Sequence, residues 1–181
     1  YSLVNEDLSD IRPTVEKLFE SEGLTSSLTF SVSRDTRNRV FEPSDGSYLT
    51  VSEEIAGKVL GGENHFSKSE FDASWFFPVA DESRTWVIGG SVFALHLNGG
   101  FVAPIEEGVR APLFERFFPG GITSIRGFEL RSLGPEIQVA SDNDPSSFTT
   151  TDFNVGGNKQ IIFNAEYIFP IIRPANIKGV V

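Results

Sequence analysis

From Leu24 to Asp35 the chain reads LTSSLTFSVSRD, with Ser26, Leu28, Phe30 and Val32 on one side and Thr25, Ser27, Thr29, Ser31 and Ser33 on the other. A repeat of two belongs to extended backbone, where successive side chains point to opposite faces of a sheet. The same alternation returns in Glu70 to Pro78, where Phe71, Ala73, Trp75 and Phe77 oppose Glu70, Asp72 and Ser74. It returns again in Asn158 to Phe169, with Ile161, Phe163, Ala165, Tyr167 and Phe169 opposite Gln160, Ile162, Asn164, Glu166 and Ile168. Strands with one apolar and one small polar face suit either a barrel with a wet lumen or a soluble sandwich.

The intervening segments complete a meander. Ser33 to Val51 carries Pro43, Asp45 and Gly46 at its centre, a turn joining two strands. The returning strand places Leu49, Val51, Ile55 and Val59 on one face and Tyr48, Thr50, Ser52, Glu54 and Lys58 on the other, with Glu53 interrupting the apolar side. Gly61-Gly62 marks a loop, Asp81 to Arg84 a short turn, and Thr85 to Asn98 a further strand. Trp75, Phe76 and Phe77 before Pro78 read as an interfacial aromatic girdle. Gly99 to Arg110 opens an irregular region, and Gln138 to Asn158, rich in Ser, Asp, Asn and Thr, reads as the rest of one long loop. Tyr1 to Ile11 is compatible with a strand end and Pro13 to Gly23 with a short helical turn or an extracellular loop. The expected fold is therefore all-β: an antiparallel up-and-down meander of about six strands, with short turns on one side and long loops on the other.

Composition narrows the function classes. The chain has 17 Phe and 17 Gly among 181 residues, with no Met and no Cys, which suits an all-β envelope protein. Without Met, Tyr1 is not a translated start, so a fragment of a longer protein is expected. No stretch approaches the ~18 consecutive apolar residues of a spanning helix, so any membrane residence must come from strands. The formal charge of −10, spread over loops such as Glu106-Glu107 and Asp142-Asn143-Asp144, argues against nucleic acid, which needs a basic face. His65 and His96 stand apart from any metal-ligand spacing, the glycine pairs sit in no strand-to-helix phosphate loop, and no G-x-S-x-G elbow occurs. Neither an enzyme nor a cofactor is expected.

One segment exceeds what an ordinary turn needs: Phe117 to Pro135, FFPGGITSIRGFELRSLGP. Gly127 lets the backbone turn tightly. Arg126 presents a planar fork of five donors that must find acceptors wherever water is excluded, so an arginine inside a barrel implies a carboxylate facing it.

The string resembles the sixth extracellular loop of the BamA superfamily of outer-membrane barrels, whose Arg-Gly-Phe tip folds back inside the barrel. Four pieces agree in the family's order: Asp35-Thr36-Arg37 with Pro43 and Gly46, Phe117 to Gly121, Arg126-Gly127-Phe128 with Leu133-Gly134-Pro135, and Ala165-Glu166-Tyr167-Ile168-Phe169-Pro170. Together they cover most of residues 24 to 172. The resemblance implies that residues 1–181 form part of a transmembrane barrel of roughly sixteen strands, with the periplasmic POTRA domains and the final strands absent from this chain. It implies Arg126, Gly127 and Phe128 as the loop motif, Glu166 as the luminal partner of Arg126, and Gly120, Gly121 and Gly134 as supporting glycines. The implied function is nucleotide-independent assembly and insertion of β-barrel proteins in the outer membrane of a Gram-negative bacterium. Implied partners are the lipid bilayer, nascent barrel substrates and accessory lipoproteins. Alternatives are an autotransporter-assembly or two-partner secretion translocator, the barrel anchor of a patatin-like phospholipase, and a secreted β-sandwich.

Overall fold

The computed structural model describes residues 23–79, 89–106, 111–140, 150–172, 175 and 177–181. The readings of Tyr1 to Ile11, of Pro13 onward before Gly23, and of Asp81 to Arg84 lie outside them. Among the described residues eight strands form: β1 Ser27–Asp35, β2 Gly46–Ala56, β3 Phe66–Pro78, β4 Val92–Pro104, β5 Glu136–Ala140, β6 Thr150–Asn154, β7 Lys159–Ile172 and β8 Ile177–Val180. Six make one sheet in the order β1-β2-β3-β4-β7-β8, and β5 pairs with β6 apart from it. The fold is all-β and up-and-down, and its sheet is open, ending at β1 and β8. No described helix is long and apolar enough to cross a membrane, which says nothing of crossing by strands.

The register turns alternation into two surfaces. In β4 and β7, Phe93 faces Tyr167, Leu95 faces Ala165, Leu97 faces Phe163 and Gly99 faces Ile161. Directly opposed residues share a face, so this surface is apolar, while Ala94–Glu166, His96–Asn164 and Gly100–Gln160 lie on the other. The first hairpin behaves alike. Thr36 donates its N–H to the Ser47 carbonyl at 2.8 Å and Asn38 to Asp45 at 3.0 Å, a register that sets Val32 opposite Val51 and Phe30 opposite Glu53. Asp35 closes its turn by taking the Arg37 guanidinium at 2.9 Å from Nε and 2.6 Å from Nη2, and this bonding raises the Arg37 pKa further.

Large apolar side chains stay exposed on the apolar surface: Val32 is 76%, Ile161 75% and Phe163 62% accessible. Soluble monomers rarely expose contiguous apolar patches of this kind. Among the described residues the buried apolar side chains gather elsewhere, in two clusters. Phe76, Val92 and Ala94 pack with Ile168 on the polar-face side of the sheet, and Ala56, Phe66, Val102, Ala111 and Phe117 gather under the loop.

Four local expectations are corrected. The segment Gln138 to Asn158 is not one uninterrupted loop, because β5 and β6 pair in register from Glu136–Asn154 to Ala140–Thr150. Residues 85–88 of the expected Thr85 to Asn98 strand lie outside the described residues; β4 begins at Val92, after a turn at Gly89-Gly90, and continues into the supposed irregular region to Pro104, because Phe101 and Gly99 find partners on β7. Val59 is not on β2 but in a 3-10 turn, Lys58–Leu60, and is fully exposed. Within the aromatic triplet only Trp75 and Phe77 are exposed; Phe76 is buried and meets His96 edge to face at 5.7 Å.

The chain divides into two compact units, the described residues of 1–27, 55–67 and 102–158 and those of 28–54, 68–101 and 159–181.

Candidate functional site: the Arg-Gly-Phe loop and the polar face

In the first unit, the loop is held at its root by main-chain pairing. Phe117 and Gly157 exchange backbone hydrogen bonds of 2.9 and 2.8 Å. Arg116 fixes the same place, donating from Nε to the Ala111 carbonyl at 3.0 Å and from Nη1 to the Val155 carbonyl at 3.2 Å. Phe118 lies against Gly156 on one side, and the Arg131 guanidinium stands 4.2 Å over its ring.

Above this root the chain doubles back. Leu133 donates its N–H to the Pro119 carbonyl at 3.0 Å and Gly121 to that of Phe128 at 3.1 Å, so Phe117 to Gly121 runs alongside Phe128 to Leu133. Gly120 is necessary for that closeness. Its φ is +121°, and a Cβ there would stand 2.3 Å from the Glu129 carbonyl oxygen. Gly121 is buried in the same seam, and Gly134 lies against the Asn154 side chain, which itself donates to the Arg131 carbonyl at 3.1 Å. Residues 122–127 form the tip, where Arg126, Gly127 and the neighbouring Phe128 are exposed and Gly127 has a φ of +91° with open space around it. The structure therefore brings Gly120, Gly121 and Phe128 together and leaves Arg126 and Gly127 exposed at the tip of a doubled arm. His65 also belongs here, 2.5 Å from the Glu106 carboxylate through Nδ1.

In the second unit the polar face carries a ladder across three strands. Asn98 donates from Nδ2 to Asp72 at 3.2 Å and accepts from Gln160 Nε2 at 2.9 Å. One step along, Ser74 Oγ and His96 Nδ1 are hydrogen-bonded at 2.9 Å. Glu166 follows on the same face, partly buried, opposite the small Ala94. Beyond it the apolar cluster of Phe76, Val92 and Ile168 closes the face. A carboxylate between a hydrogen-bonded ladder and an apolar floor is well placed to receive a cationic donor. Glu166 and Arg126 belong to different units, each described by itself.

Sequence reasoning placed Glu166 on the polar face and missed Arg116, Asn98 and the partners of both histidines. Among the described residues no group of three His, Asp or Glu side chains gathers as a metal site would require.

The whole chain, residues 1–181, matches the model of the Omp85 superfamily domain. The chain belongs to the Omp85 superfamily. Among its relatives, outer membrane protein assembly factor BamA of Nitratidesulfovibrio vulgaris is 29% identical over 96% of this chain and 20% of its own length. BamA of Neisseria meningitidis is 30% identical over 76% of the chain and 15% of its own length. Sorting and assembly machinery component 50 homolog A of Xenopus laevis is 35% identical over 62% of the chain and 22% of its own length. The chain thus spans less than a quarter of the length of these relatives. The crystal structure of BamA from Haemophilus ducreyi lacking POTRA domains 1-3 superposes with a TM-score of 0.66 at 23% identity, covering 81% of this chain and 26% of that one. That likeness is one of fold: this Omp85 chain is part of a barrel wall with a braced loop.

Proposed function

We propose that the protein carrying this chain assembles and inserts other β-barrel proteins in the outer membrane of a Gram-negative bacterium, without a nucleotide. Residues 1–181 are then one stretch of barrel wall, with POTRA domains and closing strands supplied by the rest of the protein. The observation that carries the reading is membership of the Omp85 superfamily together with assembly-factor relatives in both bacteria and animals. The exposed apolar surface supports a wall that meets lipid, and the polar face a wet interior. In this reading the bilayer covers Ile161 and Phe163, nascent barrel strands are the substrate, and accessory lipoproteins are partners. Arg126 reaches Glu166 from the braced loop, a charge-assisted contact that fixes the tip inside the barrel.

The test is reconstitution of the full-length protein in liposomes with an unfolded β-barrel substrate, scored by the heat-modifiable mobility of the folded product. Faster substrate folding than in empty liposomes is expected, with no added nucleotide. Equal rates with and without the protein would sink the assembly reading.

A further inference from the structure

At the end of β4 and the start of β7 the apolar surface stops on a lysine. Phe101 stands opposite Lys159, and the Lys159 ammonium lies 5.3 Å over the Phe101 ring. Behind them Gly99 has no side chain, and Phe71 fills its place: a Cβ on Gly99 would come within 2.5 Å of the Phe71 ring. The result is an open depression lined by Gly100, Phe101, Lys159, Gln160 and Ile161. From it the exposed Ile161 and Phe163 continue along the strand as an apolar track. Lys159 is exposed, and among the described residues no carboxylate is paired with it, whereas Lys178 is bonded to Glu42 at 2.7 Å and Lys68 stands 3.8 Å from Glu70.

We propose that Lys159, Phe101 and the depression beside Gly100 bind the phosphate headgroup of an anionic lipid, whose acyl chain lies along Ile161 and Phe163. The inference rests on the reading of the apolar surface as lipid-facing. A lysine at the edge of an apolar band extends its ammonium to the headgroup level while its methylenes stay on apolar surface. The aromatic ring holds the ammonium from one side without neutralising it, so charge remains for a phosphate. On a chain of net charge −10 an anionic lipid is otherwise repelled, so one unneutralised lysine beside a groove decides where it settles.

The test uses the full-length protein in detergent, titrated with phosphatidylglycerol or with phosphatidylcholine of the same acyl chains, and counts bound lipids by native mass spectrometry. Wild type is expected to prefer phosphatidylglycerol. Lys159→Gln is expected to lose about fivefold of that preference, the worth of one lysine at an anionic membrane surface. Lys159→Arg keeps the charge and keeps the preference, Lys178→Gln leaves it unchanged, and Phe101→Ala weakens both lipids. An unchanged preference in Lys159→Gln overturns the site, as does an equal loss in Lys159→Gln and Lys159→Arg, which assigns the effect to packing. Absence of any preference in wild type overturns it as well, whatever the liposome assay of substrate folding shows. A Lys159-dependent preference in a protein that folds no substrate would leave the site standing and remove only the assembly reading.

Discussion

Phe117 and Gly157 exchange both of their backbone hydrogen bonds, at 2.9 and 2.8 Å, and so tie the entry of the loop to the residues that lead into β7. Everything between them, including the tip and the β5–β6 hairpin, is an excursion closed at that point. The pairing at the root therefore bounds the excursion that carries the tip.

The doubled arm predicts an order among its glycines. Gly120→Ala places a Cβ on the Glu129 carbonyl in a backbone conformation hostile to side chains and is expected to cost ~1–3 kcal/mol or more, loosening the arm. Gly127→Ala meets open space and carries only the cost of a positive φ, ~1 kcal/mol. Limited proteolysis of the folded full-length protein between residues 119 and 134 should report faster cutting for Gly120→Ala. Equal rates would mean that the close approach is not limiting.

Arg116 is expected to be worth more than its position in the sequence suggests. Its removal leaves the Ala111 and Val155 carbonyls short of a donor, at ~1–3 kcal/mol for an unsatisfied buried group. Arg116→Lys should recover only part, since one ammonium lacks the fork that spans the two acceptors. Hydrogen exchange at the Phe117 and Gly157 amides is the readout, and wild-type protection in Arg116→Ala would refute the staple.

The two surfaces of the sheet predict opposite responses to charge. Val32→Arg puts a cation on the exposed apolar surface opposite Val51, at ~2–4 kcal/mol if it reaches the bilayer midplane. Ser33→Arg, on the polar face, should be tolerated. Phe30 is the poorer probe because its cross-strand neighbour is Glu53, which would compensate an arginine. Heat-modifiable gel mobility of the full-length protein checks the pair, and equal assembly of both variants would invalidate the facing.

A double-mutant cycle tests the brace between the loop and the wall. Arg126→Ala and Glu166→Ala are each expected to lose ~1–3 kcal/mol in loop positioning, and the double variant less than their sum. Arg126→Lys should fail nearly as badly as Arg126→Ala because the guanidinium geometry is lost. Strict additivity in barrel assembly would show that the two residues do not communicate.

The alternation in Leu24 to Asp35 and Asn158 to Phe169 was enough to assign faces, because a repeat of two is a property of extended backbone whatever it pairs with. On that basis the apolar Phe163, Ala165 and Tyr167 and the opposing Glu166 were legible before any partner strand was known. Turn chemistry at Pro43, Asp45 and Gly46 located the first hairpin equally well. The short strands β5 and β6 were not legible, since the alternation of Glu136–Ala140 spans only five residues, Thr150–Asn154 carries little of its own, and both become strands by pairing with each other. The extension of β4 to Pro104 was hidden for the same reason: Gly99 and Gly100 argue locally for a break, and only the β7 register overrides them.

By itself, then, the sequence determined the all-β class, the two faces of the long strands and the loop that carries Arg126, because periodicity and turn residues act over a few neighbouring positions. Tertiary structure alone decided that Arg116 reaches Val155, that Gln160 reaches Asn98 and Asn98 in turn Asp72, and that Ser74 answers His96. Those partners lie on segments far apart in the chain, and which strands and loops stand side by side, in which register, is settled by long-range hydrogen bonding and packing that no local pattern encodes.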